Sequence, residues 1–406
     1  MKAVELFTGA GGLGMGLSLA GFKPQAVVEW DRFACDTIRQ NQARQFSLVR
    51  DWPLHEADVR DWTQGACRDI GQDIDLVAGG PPCQPFSMGG KHRAHGDQRD
   101  MFPATVDVIR HLQPRAFIIE NVKGLTRPTF HDYYHYILFQ LEFPDVSKKV
   151  DESWPDHYGR LQRVKSSKSR AHAGLTYNVV PKLVNAANFG VPQRRERVFI
   201  VGFRADLGIE WEVPRETHSL DALLFDQFVT GAYWDRHAVP VKMRPQPPAV
   251  YQSATARMHG LRLLPTKQAW RTVKDALTGL SDPELHEHQA MQHTLQTGAR
   301  AYAGHTGSPL HWPAKTLKAG DHGVPGGENM LVKDDGAVRY FTVRESARLQ
   351  TFPDAYLFHG SWTESMRQLG NAVPVALGHV IAASVAERII ETRLQDIAAR
   401  AMRATA

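Results

Sequence analysis

The sequence predicts an α/β protein, built on a doubly wound, mostly parallel sheet with a second, smaller, loop-rich domain. Three observations predict it. Short apolar runs recur through the first half of the chain, each stopped by glycine, proline or a charged residue. Gly9, Gly11 and Gly14 form a GxGxxG turn between the first of these runs and a helical stretch. Such a turn lets backbone approach a nucleotide closely, with a helix N-terminus facing it. From about residue 205 the character changes: proline and tryptophan become frequent, helical patterns weaken and strands shorten.

At 406 residues the length suggests two or three domains with a large core. The composition is that of an ordinary globular protein, 42% hydrophobic and 22% charged. A net charge of +5 and a pI near 9.0 pull mildly toward polyanions. Three cysteines, Cys35, Cys67 and Cys83, are too few and too far apart for a disulfide framework or a CxxC metal site. They suit a reducing cytosol, so a cytoplasmic protein without a resident metal is expected. No signal or transit peptide precedes the first strand, and no apolar run reaches about 18 residues, so no membrane span is expected.

Ala3 to Phe7 reads as the first strand, with the glycine turn and a helix around Leu17 to Ala20 behind it. Ala26 to Val28 is the second, ending in Glu29, which is placed for ribose hydroxyls. This pattern fits a dinucleotide and S-adenosylmethionine equally well. Asp58 suits either an adenine amino group or a helix cap. Leu76 to Ala78 is a buried strand halted by two glycines and by Pro81 and Pro82, which fix φ and lack N–H groups. Cys83 is thereby presented from a stiff turn at a strand's carboxyl end, where open α/β sheets place ligands. A thiol there reads as a nucleophile rather than as a small core residue.

The stretch after it is glycine-rich and carries Lys91, Arg93 and Arg99, a natural lid whose cations suit phosphates, or an ordinary solvated loop. Thr105 to Leu112 shows helical spacing. Arg115 to Val122 is a strand carrying Glu120 near its end, on the same edge as Cys83 if the two strands run parallel. Residues 144–172 read as an insertion, and 160–170, without an acidic residue, read as surface chain of a composition prone to disorder. Tyr177 to Val184 and Arg197 to Gly202 read as strands joined by an antiparallel return, which would bring Arg195 and Arg197 toward Cys83 and Glu120. Short strands are expected around His311 to Gly323, and a capped helix with stabilising Arg/Glu pairs around 341–354. A long amphipathic helix follows Pro374, from about Val375 to Ala398.

These blocks, in this order, resemble the cytosine-C5 DNA methyltransferase family of restriction-modification type. Phe7-Thr8-Gly9-Ala10-Gly11-Gly12 is similar to its cofactor loop, Glu29-Trp30-Asp31 to its ribose block and Asp58-Val59 to its adenine contact. Pro81-Pro82-Cys83-Gln84 resembles its nucleophile block and Glu120-Asn121-Val122 its acid block. Gln193-Arg194-Arg195-Glu196-Arg197 resembles the block whose arginines hold the target base. Arg344-Glu345 with Leu349 to Asp354 resembles a late scaffold block, and Gly370-Asn371-Ala372-Val373-Pro374 the one that closes the cofactor pocket.

The resemblance implies a catalytic, cofactor-binding domain at 1–204 plus 370–406 and a target-recognition domain at 205–369, variable over about 205–335. It implies S-adenosylmethionine as methyl donor, held by the cofactor blocks with Pro82 and Met101. It implies double-stranded DNA as partner, contacted by Ser87, Lys91, Arg93, Arg99 and the Thr316-Leu317 pair. It implies a monomer, paired only functionally with a companion restriction endonuclease. In the implied chemistry Cys83 attacks C6 of a flipped cytosine, Glu120 bonds N3, and Arg197, helped by Arg195, pins the O2 side. A tRNA cytosine methyltransferase, a nicotinamide-dependent oxidoreductase and a catalytically silent DNA-binding protein are the competing readings.

Overall fold

The computed structural model describes residues 1–71, 73–82, 100–166, 174–261, 264–320 and 327–404. Cys83, Ser87, Lys91, Arg93 and Arg99 lie outside the described residues. The chain divides into two compact units, Met1–Val184 with Glu196–Pro214 and Gly378–Ala406 in the first, Asn185–Arg195 with Arg215–Leu377 in the second. Compared with the boundaries expected from sequence, residues 185–195 and 370–377 fall in the second unit and 205–214 in the first.

The first unit is built on β1 (Lys2–Leu6), β2 (Lys23–Glu29), β3 (Leu54–Glu56), β4 (Leu76–Gly79), β5 (Ala116–Val122), β6 (Tyr177–Asn185) and β7 (Glu196–Arg204). They form one sheet in the order β3-β2-β1-β4-β5-β7-β6. The first five are mutually parallel, and β7 runs antiparallel against β5. Backbone bonds Ala205 N to Thr176 O and Ala186 N to Arg195 O, one at each end, make β6 and β7 antiparallel, as the short link predicts.

The helices α1 (Gly12–Leu19), α2 (Arg32–Ala43), α3 (Val59–Gln64) and α4 (Phe102–Leu112) are the crossovers between successive parallel strands. Asp31 caps α2, accepting from Ala34 N at 2.9 Å. Helix α1 starts earlier than its apolar pattern suggests, because Gly11 takes the left-handed φ of 84° at the N-cap. At the opposite edge of the sheet, buried Asp75 gathers Lys2 N at 2.9 Å, Arg115 at 3.2 Å and Arg393 at 2.5 Å. One carboxylate thus ties the starts of three strands to the C-terminal helix.

Two helices, α5 (His131–Glu142) and α6 (Trp154–Ser166), lie between β5 and β6. Residues 160–166 lie largely at the surface, as expected, but form helix rather than disordered chain, with Leu161 fully buried. The reason is aromatic packing: Trp154 meets Tyr133 and Tyr136, each at 5.5 Å between ring centroids. His157 Nε2 lies 2.7 Å from the Val146 carbonyl, which can only accept, so Nδ1 accepts from the Tyr136 hydroxyl at 2.9 Å. Residues 167–173 lie outside the described residues.

The C-terminal helix runs Val375–Ala404, longer than its pattern implies. By length and composition alone the helical stretch Trp362–Arg403 could cross a membrane, where none was expected, but 67% of its most apolar window is buried inside the protein. Leu377, Ile381, Val385 and Ile389 are core residues. A Cβ on Gly16 would stand 2.5 Å from His379 N, so α1 and this helix approach backbone to backbone.

The second unit is loop-rich, as expected, but more helical than its pattern suggests. It has β8 (His218–Ser219), β9 (Gln268–Ala269), β10 (Ser308–Pro309), β11 (Met330–Val332) and β12 (Val338–Tyr340). Its helices are α7 (Leu220–Phe228), α8 (Ala232–Arg236), α9 (Gln252–Leu261), α10 (Val273–Leu277), α11 (Val343–Leu349) and α12 (Trp362–Asn371). Most are too short to show a period, and caps define them; Thr272 and Thr342 each close a capping box. Of the short strands expected around His311 to Gly323, residues 311–320 form one bridge only, from Ala314 to Gln193, and 321–323 lie outside the described residues. Glu345 is held bidentately by Arg339 at 2.7 Å, so the Arg/Glu pairing at α11 is structural.

Candidate active site

Strand register sets a single level at the carboxyl edge of the first unit's sheet. Leu6 pairs with both Val28 and Gly79, and Gly79 pairs with Ile119. The next residues along, Phe7, Glu29, Gly80 and Glu120, therefore stand side by side. Strand β1 lies between β2 and β4, so connections leave it in opposite directions and open the crevice where such sheets bind ligands.

A Cβ built on Gly80 would sit 3.0 Å from Glu120 Oε2, so glycine allows the carboxylate to lie against the chain just ahead of Cys83. Glu120 Oε1 is 2.8 Å from Arg197 Nε, and the residues are 7% and 8% exposed. Arg197 sits opposite Val122 across β5 and β7, two places from the Glu120–Phe199 pair, which is the diagonal reach of a long side chain. Asn121, the next residue of β5, donates to the Pro81 carbonyl at 3.0 Å. Sequence reasoning assigned Asn121 no task, although alternation along the strand sends it away from Glu120.

Arg195 has other partners than the ones expected for it. In the second unit its guanidinium donates to the carbonyls of Leu317 at 3.1 Å, Gly370 at 2.7 Å and Ala372 at 2.9 Å. These bonds make Arg195 a structural tie between stretches remote in sequence, beside the assistance to Arg197 expected of it. Leu317, expected at the DNA, has its side chain 1% exposed in the core, its N–H bonds Gln193 Oε1 at 3.1 Å and its carbonyl takes Arg195. Thr316 Oγ donates to the Arg194 carbonyl at 2.7 Å. Asn371 ends α12, with Ala372 and Val373 buried behind it in the second unit.

On the cofactor side Phe7, Gly9 and Gly11 all have positive φ, at 54°, 56° and 84°. Glu29 holds this loop, accepting from Gly9 N at 2.7 Å, Trp30 N at 2.8 Å and Asp31 N at 2.7 Å. Burial pushes its carboxyl up from the ordinary range while these N–H groups pull it down. Oε1 takes two of the donors and Oε2 one, so Oε2 keeps a lone pair for a sugar hydroxyl. A Cβ on Gly9 would meet nothing within 4 Å, and Trp30 is 67% exposed. Clear space, a carboxylate acceptor and an exposed ring fit the adenosine half of S-adenosylmethionine. Ala10, Gly12 and Val59 are buried supports, Met101 is the buried N-cap of α4, and Pro82 is half-buried. Asp58 caps α3 through Arg60 N at 2.8 Å and pairs with the Arg60 guanidinium at 2.6 Å, which lowers its pKa.

Both described cysteines are poor nucleophiles. Burial pushes the Cys35 thiol up to about 12 and the Cys67 thiol up to about 11. Sequence reasoning also passed over Glu5, 1% exposed in β1, whose carboxyl burial raises to about 8, with Thr8 and the Gly14 N–H opposing.

The family described as C-5 cytosine-specific DNA methylase matches residues 1–145 and 162–387. The chain is 29% identical over 385 residues to the Type II methyltransferase M.NgoMIV of Neisseria gonorrhoeae, covering 93% of this chain and 95% of that protein. It is 28% identical over 403 residues to M.FnuDI of Fusobacterium nucleatum, covering 96% of each. Among solved structures, a protein described as a DNA modification methyltransferase encoded within an E. coli prophage superposes at TM-score 0.57. That pair shares 20% identity, with 96% of this chain and 99% of that one covered. The S. pombe Dnmt2 methyltransferase superposes at 0.52, with 16% identity over 95% of this chain and 98% of that one, a likeness of fold. With the family's pattern running through both units and most of the sequence, the chain belongs to the C-5 cytosine-specific DNA methylases, methyltransferases that draw on S-adenosylmethionine and act on DNA.

Proposed function

We propose that this methyltransferase modifies C5 of a cytosine flipped out of a specific duplex DNA sequence, through a transient bond between Cys83 and C6. The observation that carries the reading is the buried Glu120–Arg197 pair, lodged against Gly80 at the carboxyl edge of the sheet. Cys83 follows Pro81 and Pro82 directly from that point, and the other two thiols are raised out of the reactive range. Attack of the Cys83 sulfur on C6 turns the ring into an enamine, whose C5 then acts as nucleophile. Glu120 bonds N3, so the charge of the attack is not left unshielded, and Arg197 orients Glu120 while pinning the O2 side. S-adenosylmethionine supplies an electrophilic methyl on its sulfonium. Loss of the C5 proton and elimination of the cysteine complete the exchange.

Arg195, by its described contacts, is a positioning residue in this scheme. The relatives' type II designation supports the modification half of a restriction-modification pair. Free, buried Cys35 and Cys67 support a reducing compartment, the cytoplasm, and the same reading takes the enzyme as a monomer. Labelled methyl transfer is expected to duplex DNA and not to tRNA. Cys83→Ser is expected to abolish it while DNA binding persists. Turnover by Cys83→Ser, or failure of duplex containing 5-fluorocytosine to trap the chain covalently, refutes the mechanism.

A further inference from the structure

The second unit carries an aromatic hairpin that the proposed chemistry does not use. Tyr302 N–H donates to the His305 carbonyl at 3.2 Å and His305 N–H to the Tyr302 carbonyl at 2.8 Å, leaving Ala303 and Gly304 as the tip. Gly304 supplies the positive φ of 81° that such a tight turn requires. The two aromatic rings stack at 4.4 Å between centroids and 28° between planes. Tyr302 is nevertheless 57% exposed, so one face rests on the imidazole and the remainder is open to solvent.

The hairpin is anchored rather than loose. His305 Nδ1 lies 3.3 Å from Glu328 Oε2, and Glu328 Oε1 takes Lys318 Nζ at 3.0 Å. Lys315 Nζ donates to Thr306 Oγ at 2.8 Å and Lys315 N to Ser308 Oγ at 3.0 Å. These bonds fasten the tip to residues 315–318, the stretch that binds Gln193, Arg194 and Arg195. Lys315, bonded to Thr306, thus sets a positive charge beside the hairpin, while the charge of Lys318 is paired with Glu328.

An isolated exposed tyrosine calls for no explanation. A tyrosine already stacked on a second ring, at a fixed tip with a lysine beside it, is the combination that holds unstacked nucleobases. We propose that Tyr302 is a base-stacking contact: its outer face receives a nucleobase unstacked in the DNA substrate, with Lys315 beside it to meet a phosphate. This rests on the reading of the chain as a duplex DNA methyltransferase. Stacking on His305 fixes the ring beforehand, so little side-chain freedom is lost when the base arrives.

The test uses the full chain and a duplex carrying its methylation sequence, identified by bisulfite sequencing. Binding is followed by fluorescence anisotropy. Tyr302→Ala is expected to weaken DNA binding roughly 5- to 100-fold, the worth of one base–aromatic stack. Tyr302→Phe should retain the parent affinity, since the hydroxyl takes no part. The KM for S-adenosylmethionine, the unfolding midpoint and the slope of affinity against salt should stay at parent values, because an exposed, uncharged ring is being removed. Parent-like binding by Tyr302→Ala overturns the proposal, as does a loss shared by Tyr302→Phe or accompanied by a lower midpoint. If the parent chain itself transfers no methyl to duplex DNA, the functional reading has failed; if it does and Tyr302→Ala binds equally well, only the role of the hairpin has.

Discussion

Glu120 and Arg197 are a buried pair whose separate removal has separate consequences. Glu120→Gln keeps the shape and removes the proton carrier, so the methyl-transfer rate in single turnover should fall about 100-fold or more, the scale of acid–base assistance. Binding of S-adenosylmethionine, measured by calorimetry, should change little; equal losses in both would contradict the assignment. Glu5 gives a pH dependence. The folded state holds its proton up to about pH 8, whereas the unfolded chain releases it near 4.5, mainly because burial disfavours the carboxylate. The native state therefore binds more protons across that window, and unfolding free energy should decline as pH rises through it. The decline should total on the order of a few kcal/mol, and Glu5→Gln should flatten it in urea titrations at stepped pH. The placing of Glu29 and Glu120 at the carboxyl edge of the sheet was legible because each stands in a short motif at the end of an apolar run. Arg195 and Arg197 were not separable. They are the same residue type two places apart, and only the distant carbonyls of Gly370 and Ala372 tell them apart.

Among elements, the strands were the most readable, since β1, β2, β4, β5, β6 and β7 are apolar runs with clear stops. Helices α5 and α6 were not, because their buried faces are built from Tyr133, Tyr136, Trp154 and His157, residues with a polar rim that mask the apolar period. The family pattern skips 146–161, so Trp154, His157 and Leu161 lie outside it while Tyr133 and Tyr136 lie within. This packing is nonetheless part of the core: Leu161→Ala is expected to cost about 2–5 kcal/mol, the range for a buried leucine. A denaturation midpoint equal to the parent's would show α6 to be a passive appendage. Its neighbour Tyr133 bonds Asp100, whose carboxylate also accepts from Phe102 N at 3.2 Å, so the insertion backs the helix start that holds Met101.

For the whole molecule, a positively charged chain that grips duplex must release counterions in doing so. The logarithm of DNA affinity should fall linearly with the logarithm of salt concentration, and a flat response would speak against backbone contact as a main source of affinity. The division into a sheet-bearing part and a loop-rich part was readable from composition. Its seams were not, because Asn185–Arg195 joins the second unit through side-chain bonds that no local pattern encodes.

Arg195 binds together three stretches that lie far apart in the primary structure: its own, the one at Leu317, and the one around Gly370 and Ala372. A planar fork can do this only when all three carbonyls arrive together, so none of these stretches reaches its final conformation alone. The loops strung between them can thus vary in composition and length, while the knot to which both ends return stays where it is.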